Sequence, residues 1–197
     1  WLHGSRPGGG DSLIRNNIFV NNTQRGIYLS DSSDRNSIIS NNISGSTDGV
    51  FINESDGHNI YNNTIYNNSN AGINSLDSDL SGSDFGDSSD STMNTLYNNT
   101  YGYYLKSSSA PGTGLTGRVY NNTYGVYLQS LTSGTDHYVG YAGISLFYNN
   151  SNSNIWINNS NNIYIDLVNI SGSNYGIYAI NSNGLNLSKT GDTFIFN

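Results

Sequence analysis

The chain repeats itself every 23 residues, and this period restricts the available folds more than any other feature. A glycine followed by aliphatic and aromatic residues occurs at Gly26, Gly49 and Gly72, each 23 residues after the previous one. The nine residues from Tyr97 match the nine from Tyr120 at eight positions, again at a separation of 23. Repeats of this length are typical of solenoids, in which each repeat packs only against its neighbours.

Short apolar segments and small polar corners alternate within each repeat. Segments such as 17–20 and 59–62 have the alternation of short β-strands, and Asn-Asn or glycine separates them. Strands this short cannot form a barrel or sandwich with tight hairpins at this period. Stacked coils can accommodate such short strands, because each coil pairs its strands with those of the next coil at ~4.8 Å. We therefore predict an all-β fold, a parallel β-helix of about seven or eight coils.

The later copies of the repeat are less regular. They begin near Gly143 and Gly176, and the gaps of 30 residues from Gly72 to Gly102 and of 33 from Gly143 to Gly176 each predict a coil with an inserted loop. We predict a flexible N-terminal arm over residues 1–10 and the β-helix over 11–197. An acidic loop is predicted as an insertion at 76–91.

Composition excludes several classes of protein. Asn, Ser, Gly and Thr make up just over half of the 197 residues, while the good helix formers are scarce. Seven basic residues against 14 acidic ones leave no basic stripe for a nucleic acid partner. No apolar run approaches the ~20 residues of a membrane span. Without cysteine, a disulfide framework and a thiolate metal site are excluded as well.

The repeat resembles a known family. The pattern Asn-x-Ile-x-x-Asn-x-Ile, followed by Gly-Ile-Tyr-Leu as at Gly26–Leu29, is similar to the right-handed parallel β-helix repeats of pectate-lyase-like and NosD-like proteins. The resemblance covers roughly residues 11–187. Because such repeats are abundant in archaeal surface proteins, it implies a right-handed coil and an extracellular or cell-surface protein of archaeal origin.

The resemblance also raises the possibility of an enzyme, since β-helix relatives include polysaccharide lyases and hydrolases. Polygalacturonase-like enzymes carry clustered aspartates, a Gly-His and an Arg-x-Lys. The chain has Gly57-His58 but neither an Asp-Asp pair nor an Arg-x-Lys. We expect no catalytic site, and we interpret His58 as a surface residue at a coil corner.

One acidic segment has the beginning of a calcium loop. Asp77, Asp79, Ser81 and Gly82 follow the first half of an EF-hand-like pattern, in which alternate oxygens face the ion. Asp84 is the fourth candidate ligand. The second half departs from the pattern, since Ser88 stands where a glutamate would bind. Ca²⁺ at Asp77, Asp79, Ser81 and Asp84 is one interpretation, and a solvated acidic loop is the other.

Asn-x-Ser/Thr sequons are numerous and predict N-linked glycans on an extracellular protein. We expect several to be glycosylated and others to point into an asparagine ladder between coils, where no glycan fits. The eleven sequon asparagines are Asn21, Asn42, Asn53, Asn62, Asn67, Asn98, Asn121, Asn149, Asn158, Asn169 and Asn186.

Tyrosine recurs at one position of the repeat. Tyr28, Tyr104, Tyr127 and Tyr178 each follow the repeat glycine by two residues. An aromatic ladder there would either stiffen the rod or bind sugars.

The ends of a β-helix expose unpaired strands, which invite the addition of another strand. We predict that copies of the chain stack head to tail, with Trp1, Leu2, Phe194, Ile195 and Phe196 at the junction. The function predicted from sequence is thus a non-enzymatic, glycosylated extracellular filament or surface-layer subunit. A carbohydrate-binding adhesin is the first alternative, and a polysaccharide lyase or hydrolase is the second.

Overall fold

Short strands are the regular elements of this protein. The computed structural model describes residues 2–3, 12–30, 35–80, 82–86, 92–111, 114–131, 136–187 and 193–194. Among them, no helix is long and apolar enough to cross a membrane. The strands are Leu2–His3 (β1), Leu13–Arg15 (β2), Ile18–Val20 (β3), Arg25–Ser30 (β4), Ser37–Ile39 (β5), Asn42–Ser44 (β6), Asp48–Asn53 (β7), Asn59–Tyr61 (β8), Thr64–Tyr66 (β9), Ala71–Leu76 (β10), Asn94–Tyr97 (β11), Tyr101–Lys106 (β12), Gly117–Tyr120 (β13), Tyr124–Gln129 (β14), His137–Tyr148 (β15), Ser153–Asn158 (β16), Ile163–Ser171 (β17), Tyr175–Ile180 (β18), Asn186–Leu187 (β19) and Thr193–Phe194 (β20).

The strands form three parallel sheets, which the chain visits in turn. Face 1 is the sheet β2-β5-β8, and face 2 is the nine-stranded sheet that starts at β3 and contains β15 and β17. Face 3 is the eight-stranded sheet β1-β4-β7-β10-β12-β14-β16-β18. Successive coils stack to give a β-solenoid of about 7 turns. This result confirms the predicted right-handed parallel β-helix.

The register of face 3 confirms the early repeat and corrects the later one. Gly102 and Gly125 are the second residues of equivalent strands, as the repeat predicts, but the next strand of this face is β16, whose Asn154 occupies the glycine position. Gly143 lies instead in β15 of face 2. The prediction of a repeat copy at Gly143 is therefore wrong, and its failure follows from the asparagine that replaces the glycine.

Aliphatic side chains fill the inside of the coils. Val50, Ile73, Val126 and Ile155 lie above one another through the pairing of the face 3 strands, and all are fully buried. The same core includes Leu80 and Phe85, which lie inside the predicted acidic insertion at 76–91 and have no exposed surface. That part of the segment therefore belongs to a coil rather than to a solvated loop.

The corners depend on left-handed backbone conformations. In the five Asn-Asn pairs that begin at Asn62, Asn67, Asn98, Asn121 and Asn149, the first asparagine has φ between 54° and 57° and an exposed side chain. Asparagine tolerates this conformation better than most residues with a Cβ. The second asparagine of each pair is buried, with at most 5% of its surface exposed. One residue of each pair thus turns the chain and the other faces inward.

The inward asparagines form ladders between coils. At the corner between faces 2 and 3, the backbone N–H of Asn68, Asn99 and Asn122 each donates to the Oδ1 of the asparagine in the next coil, at 2.9–3.0 Å. The side-chain Nδ2 groups of the same three residues donate to the same acceptors. A second ladder at the corner between faces 1 and 2 contains Asn41, Asn63 and Asn94. These bonds satisfy backbone groups that the corners would otherwise leave unpaired.

Two predicted end segments lie only partly within the described residues. Leu2–His3, inside the predicted flexible arm, form β1 and pair with Leu29 and Ser30 of face 3. Phe194 belongs to β20 and pairs with Ile170 of β17. Trp1, Ile195 and Phe196 lie outside the described residues.

Replacing one ladder asparagine should destabilise the solenoid strongly. Asn122→Ala removes the Oδ1 that accepts the backbone N–H and the Nδ2 of Asn99, so we expect a loss of about 2–4 kcal/mol in the free energy of unfolding. Urea denaturation measures it. Asn121→Gly is the matched control, because glycine keeps the left-handed conformation of this exposed neighbour, and it should change the free energy by less than about 0.5 kcal/mol. Equal losses in both variants would contradict the assignment of the ladder.

Candidate ligand groove

A shallow polar groove runs along the solenoid at the corner between faces 2 and 3. Its volume is about 870 Å³, and its lining extends from Thr23 in the first coil to Ser151 in the sixth. The lining consists entirely of asparagine, serine, threonine and glycine. We call this feature the corner groove. It follows the solenoid axis because every coil contributes the same short segment to it.

Two rows of polar side chains form its surface. The exposed corner asparagines Asn67, Asn98, Asn121 and Asn149 make up one row. The second row is a line of hydroxyl groups from successive coils, namely Thr23, Thr47, Ser69, Thr100, Thr123 and Ser151. Some of these hydroxyls also join coils, as where Thr100 donates to the carbonyl oxygen of Ser69 at 2.8 Å. The groove therefore offers amide and hydroxyl groups at the spacing of the coils.

A tyrosine stack borders the groove on face 2. Tyr66, Tyr97, Tyr120 and Tyr148 stand in successive coils, with ring centroids 4.9–5.1 Å apart and interplanar angles of 1–8°. Because each ring covers the next, the inner rings present their edges rather than their faces. Burial and the neighbouring phenols raise the pKa of Tyr97 and of Tyr120. This stack therefore presents a closely spaced row of phenol rings along face 2.

A second aromatic row borders the groove on face 3. Tyr101 and Tyr124 are stacked at 5.2 Å, directly after the corner. Farther from the groove, Tyr104 and Tyr127 meet edge to face at 86°, and Trp156 stacks on Tyr178 at 4.1 Å. The strand pairings place Tyr28, Tyr104, Tyr127 and Tyr178 at equivalent positions, as predicted.

The face 2 stack and the face 3 row are separated by the fewest residues in the fourth and fifth coils. There the segment Tyr-Asn-Asn-Thr-Tyr occurs twice, at 97–101 and 120–124. In each copy the first tyrosine belongs to the face 2 stack and the last to the face 3 row. The strongest internal repeat of the sequence is thus the part of the groove with aromatic residues on both sides. Sequence reasoning identified the repeat but not the groove.

A charged cluster lies near the N-terminal end of face 3. The carboxylate of Asp48, a residue only 5% exposed, accepts hydrogen bonds from Asn70 Nδ2 at 2.8 Å and Asn74 Nδ2 at 3.1 Å. Burial raises the pKa of Asp48, although these bonds and the charge of Arg25 oppose the shift. The Arg25 guanidinium lies 4.0 Å from the ring centroid of Phe51 and 4.5 Å from that of Tyr28. Its contacts are typical of a cation–π pair.

The residues predicted to bind calcium lie in different surroundings. Asp77 is an exposed corner residue with φ of 50°. Asp79 accepts the hydroxyl of Ser109 at 2.7 Å, and Asp84 accepts the backbone N–H of Gly86 at 3.0 Å. Ser81 lies outside the described residues. In the described part of this segment, no three acidic or histidine side chains are grouped as metal ligands would be, and Ca²⁺ stays a prediction.

The predicted glycosylation sites are all at least partly exposed, although the Oδ1 of Asn42 is buried. Each of the eleven sequon asparagines is exposed or half-buried, and the ladders are built from other asparagines. The expectation that some sequons point into a ladder is wrong, because in Asn-Asn-Thr the second asparagine turns inward. The four corner asparagines of the groove are themselves sequon residues. Glycosylation itself stays a prediction.

The position of His58 also differs from the prediction. It is fully buried rather than on the surface. Its Nδ1 accepts the backbone N–H of Asn36 at 3.3 Å, and its Nε2 lies 3.0 Å from Ser55 Oγ. The imidazole therefore joins two coils as the ladder asparagines do. The equivalent role of His137 Nδ1, which accepts the N–H of Ala110 at 3.1 Å, supports this assignment.

Comparison with known proteins identifies one family. The family model described as "Periplasmic copper-binding protein (NosD)" matches residues 4–137, which is more than half of the chain. The chain belongs to the NosD family. Neither the curated proteins nor the solved structures that were compared with the chain provide a match.

The family description names copper, and the described side chains do not fit such a site. Copper prefers imidazole, thiolate and thioether ligands, but the sequence has no cysteine and one methionine, which is Met93 and is 5% exposed. His58 and His137 lie three coils apart, roughly 14 Å at the usual strand spacing. Both use Nδ1 to accept a backbone hydrogen bond, and burial lowers the pKa of His137. No group of three or more histidine or acidic residues occurs in the ranges that the structure covers.

Replacing the buried carboxyl on face 3 should alter how stability depends on pH. Because the pKa of Asp48 is raised above its ordinary value of 3.8, the folded state binds a proton at a pH where the unfolded state does not. The contribution of Asp48 to stability therefore increases as the pH falls from 7 towards 4. Asp48→Asn keeps an acceptor for both asparagines and should be as stable as the wild type or more stable at pH 7, with a smaller gain at pH 4. Urea denaturation at both pH values measures the free energy of unfolding. An equal change between pH 7 and pH 4 in the wild type and in Asp48→Asn would contradict the raised pKa.

Proposed function

We propose that this NosD-family chain is a non-enzymatic extracellular β-helix whose corner groove binds an extended carbohydrate. The observation that carries the proposal is the corner groove itself, with its two polar rows and a row of stacked tyrosines next to it in sequence on each of faces 2 and 3. Sugar hydroxyls form hydrogen bonds with amides and hydroxyls, while their C–H faces pack against aromatic rings. The groove offers amides and hydroxyls over several coils, and the tyrosine rows next to it in sequence add ring edges that sugar C–H groups can contact.

The absence of titratable groups from the lining favours binding over catalysis. Glycoside hydrolysis uses a pair of carboxyl groups on either side of the bond. The lining residues that the structure describes are asparagine, serine, threonine and glycine. The buried Asp48 has two asparagine donors for partners, and among the described residues the one charge that shifts its pKa is that of Arg25 rather than a second carboxylate.

A location outside the cytoplasm is supported by two observations. The description of the family names a periplasmic protein, and the chain is rich in asparagine and poor in lysine. The exposed sequon asparagines outside the corner groove are accessible to N-linked glycosylation, which we include in the proposal for this extracellular protein.

Removing side chains from the groove should weaken carbohydrate binding. The double variant Asn98→Gly, Asn121→Gly deletes two amides but keeps the backbone, since glycine occupies the equivalent positions Gly45 and Gly172 with φ of 70° and 63°. Loss of two net hydrogen bonds lowers affinity roughly 30-fold. An array of neutral and acidic polysaccharides, followed by titration calorimetry, measures it.

Asn159→Gly is the control for that experiment. Asn159 also has a left-handed backbone, with φ of 48°, but it lies at the corner that follows face 3. The Asn159→Gly variant should bind carbohydrate with the same affinity as the wild type. Unchanged affinity in the double variant would remove the groove from the proposal, and failure of the wild type to bind any carbohydrate would overturn the proposal.

A second candidate function is end-to-end assembly into a filament or surface layer. It is favoured by exposed apolar side chains on the first and last described coils, where Ile18 is 75% exposed and Ile180 is 40% exposed. In the described chain, β18 is an edge strand of face 3, and β3 is an edge strand of face 2. Edge strands of this kind can add a strand from another copy. The partner in this case is the protein itself, joined head to tail.

A charge on the edge strand should prevent such assembly. Ile180→Lys places a charge on β18, whereas Ile144→Lys places one at a 51% exposed residue in β15, between other strands of face 2. Electron microscopy and sedimentation velocity should show fibres for the wild type and for Ile144→Lys, and dispersed monomers for Ile180→Lys. Monomers in wild-type samples at every concentration would refute assembly.

A further inference from the structure

We infer that the ligand of the corner groove is an uncharged, extended 1→4-linked glycan that lies parallel to the solenoid axis, with successive sugar rings beside successive coils. This inference rests on the proposed function, because it specifies the class of carbohydrate. It follows from the charge of the groove, its periodicity and the position of an unpaired hydroxyl group.

The charge of the groove argues for a neutral ligand. A uronate or sulfate buried against protein needs a cation or several charge-assisted hydrogen bonds to offset the loss of water. No lysine or arginine of the described ranges lines the groove. Of the nearby cations in the described chain, Arg25 packs on Phe51 and Tyr28, and Arg118 is separated from the corner by the rest of β13. Neutral hydroxyls, by contrast, match the amides and hydroxyls of the lining.

The periodicity of the groove argues for an extended chain along the axis. Thr47, Ser69, Thr100, Thr123 and Ser151 present a hydroxyl in each successive coil, at the ~4.8 Å spacing of paired strands. A pyranose ring in an extended 1→4-linked chain advances by nearly the same distance. Each additional ring can therefore repeat the contacts of the previous one. A ligand lying across the axis would leave most of these groups unused.

An unpaired hydroxyl marks the N-terminal part of the groove. Ser46 takes the ladder position that asparagine occupies in the following coils, and its N–H donates to Asn68 Oδ1 at 3.0 Å. The residue is 4% exposed, it lines the groove, and its Oγ has no hydrogen-bond partner. Buried hydroxyls without a partner are uncommon and call for a physical explanation. A sugar hydroxyl at this coil would supply the missing partner after a small movement of the Ser46 side chain.

The best subsites should lie in the fourth and fifth coils. There the face 2 stack contributes Tyr97 and Tyr120, and the face 3 row contributes Tyr101 and Tyr124. A sugar ring at either coil would lie beside the corner asparagine of that coil, in a segment that a tyrosine precedes and another follows. Short oligomers should therefore occupy these two coils in preference to the rest of the groove, and longer oligomers should extend from them towards Ser46.

A length series tests this inference directly. The probes are 1→4-linked oligomers of glucose, mannose, galactose and N-acetylglucosamine, of two to seven rings, and the matching uronate oligomers, all measured by titration calorimetry. Affinity for at least one neutral series should rise about fivefold for each added ring, the gain from one further net hydrogen bond. It should level off at five or six rings, when the coils of the groove are filled, and it should not change between low and high salt.

Paired variants locate the binding to the hydroxyl row. Thr123→Val removes one hydroxyl of the groove and should lower the affinity for long oligomers about fivefold. Thr95→Val makes the same change on the outside of β11, away from the groove, and should have no effect. Urea denaturation of both variants separates a loss of binding from a loss of folding.

The outcomes distinguish the inference from the function on which it rests. Preference for the uronate series, or affinity that falls steeply with salt, would overturn the neutral ligand but leave carbohydrate binding in place. Affinity that does not depend on length would overturn the axial orientation. No binding of any neutral or acidic oligomer or polysaccharide would overturn the proposed function together with the inference.

Discussion

The hydrogen bond from one coil to the buried asparagine of the next is the interaction on which the rest of this structure depends. The corners of a coil cannot pair their backbone groups as strands do, and buried unpaired groups are costly. Asn99 and Asn122 resolve this conflict by accepting a backbone N–H of the coil before them and donating to the coil after them. Because such a bond forms only when corners lie directly above one another, it also fixes the register of all three faces.

The surface of the groove is a consequence of the same arrangement. When the second asparagine of a pair turns inward, the first must take the left-handed conformation and point outward, as Asn98 and Asn121 do. Repetition along the axis then produces a row of amides, a row of hydroxyls and aligned tyrosines without any further constraint. A structural device that stacks coils thus also creates a surface with a regular period, which is the property that an extended polymer ligand requires.

The sequence predicts the solenoid and its period but not the division of roles within the corner. The repeat spacing alone identified Tyr28, Tyr104, Tyr127 and Tyr178 as equivalent positions, because this inference does not require the direction of any side chain. It failed at Asn154, where an asparagine that donates to Ser173 Oγ at 2.8 Å replaces the glycine of other coils. It also failed at His58, because nothing in a single chain reveals that an imidazole will accept a backbone N–H. The groove joins residues more than a hundred positions apart, so it emerges only when the coils are stacked.

Hydrogen exchange of side-chain amides, followed by NMR, tests the central claim most directly. If the pairs divide as described, the Nδ2 protons of Asn68, Asn99 and Asn122 should exchange as slowly as the backbone amides of the core strands. The Nδ2 protons of Asn67, Asn98 and Asn121, one residue earlier, should exchange at the rate of exposed amides. Equally fast exchange of both sets would contradict the buried ladder, and with it the register that builds the groove.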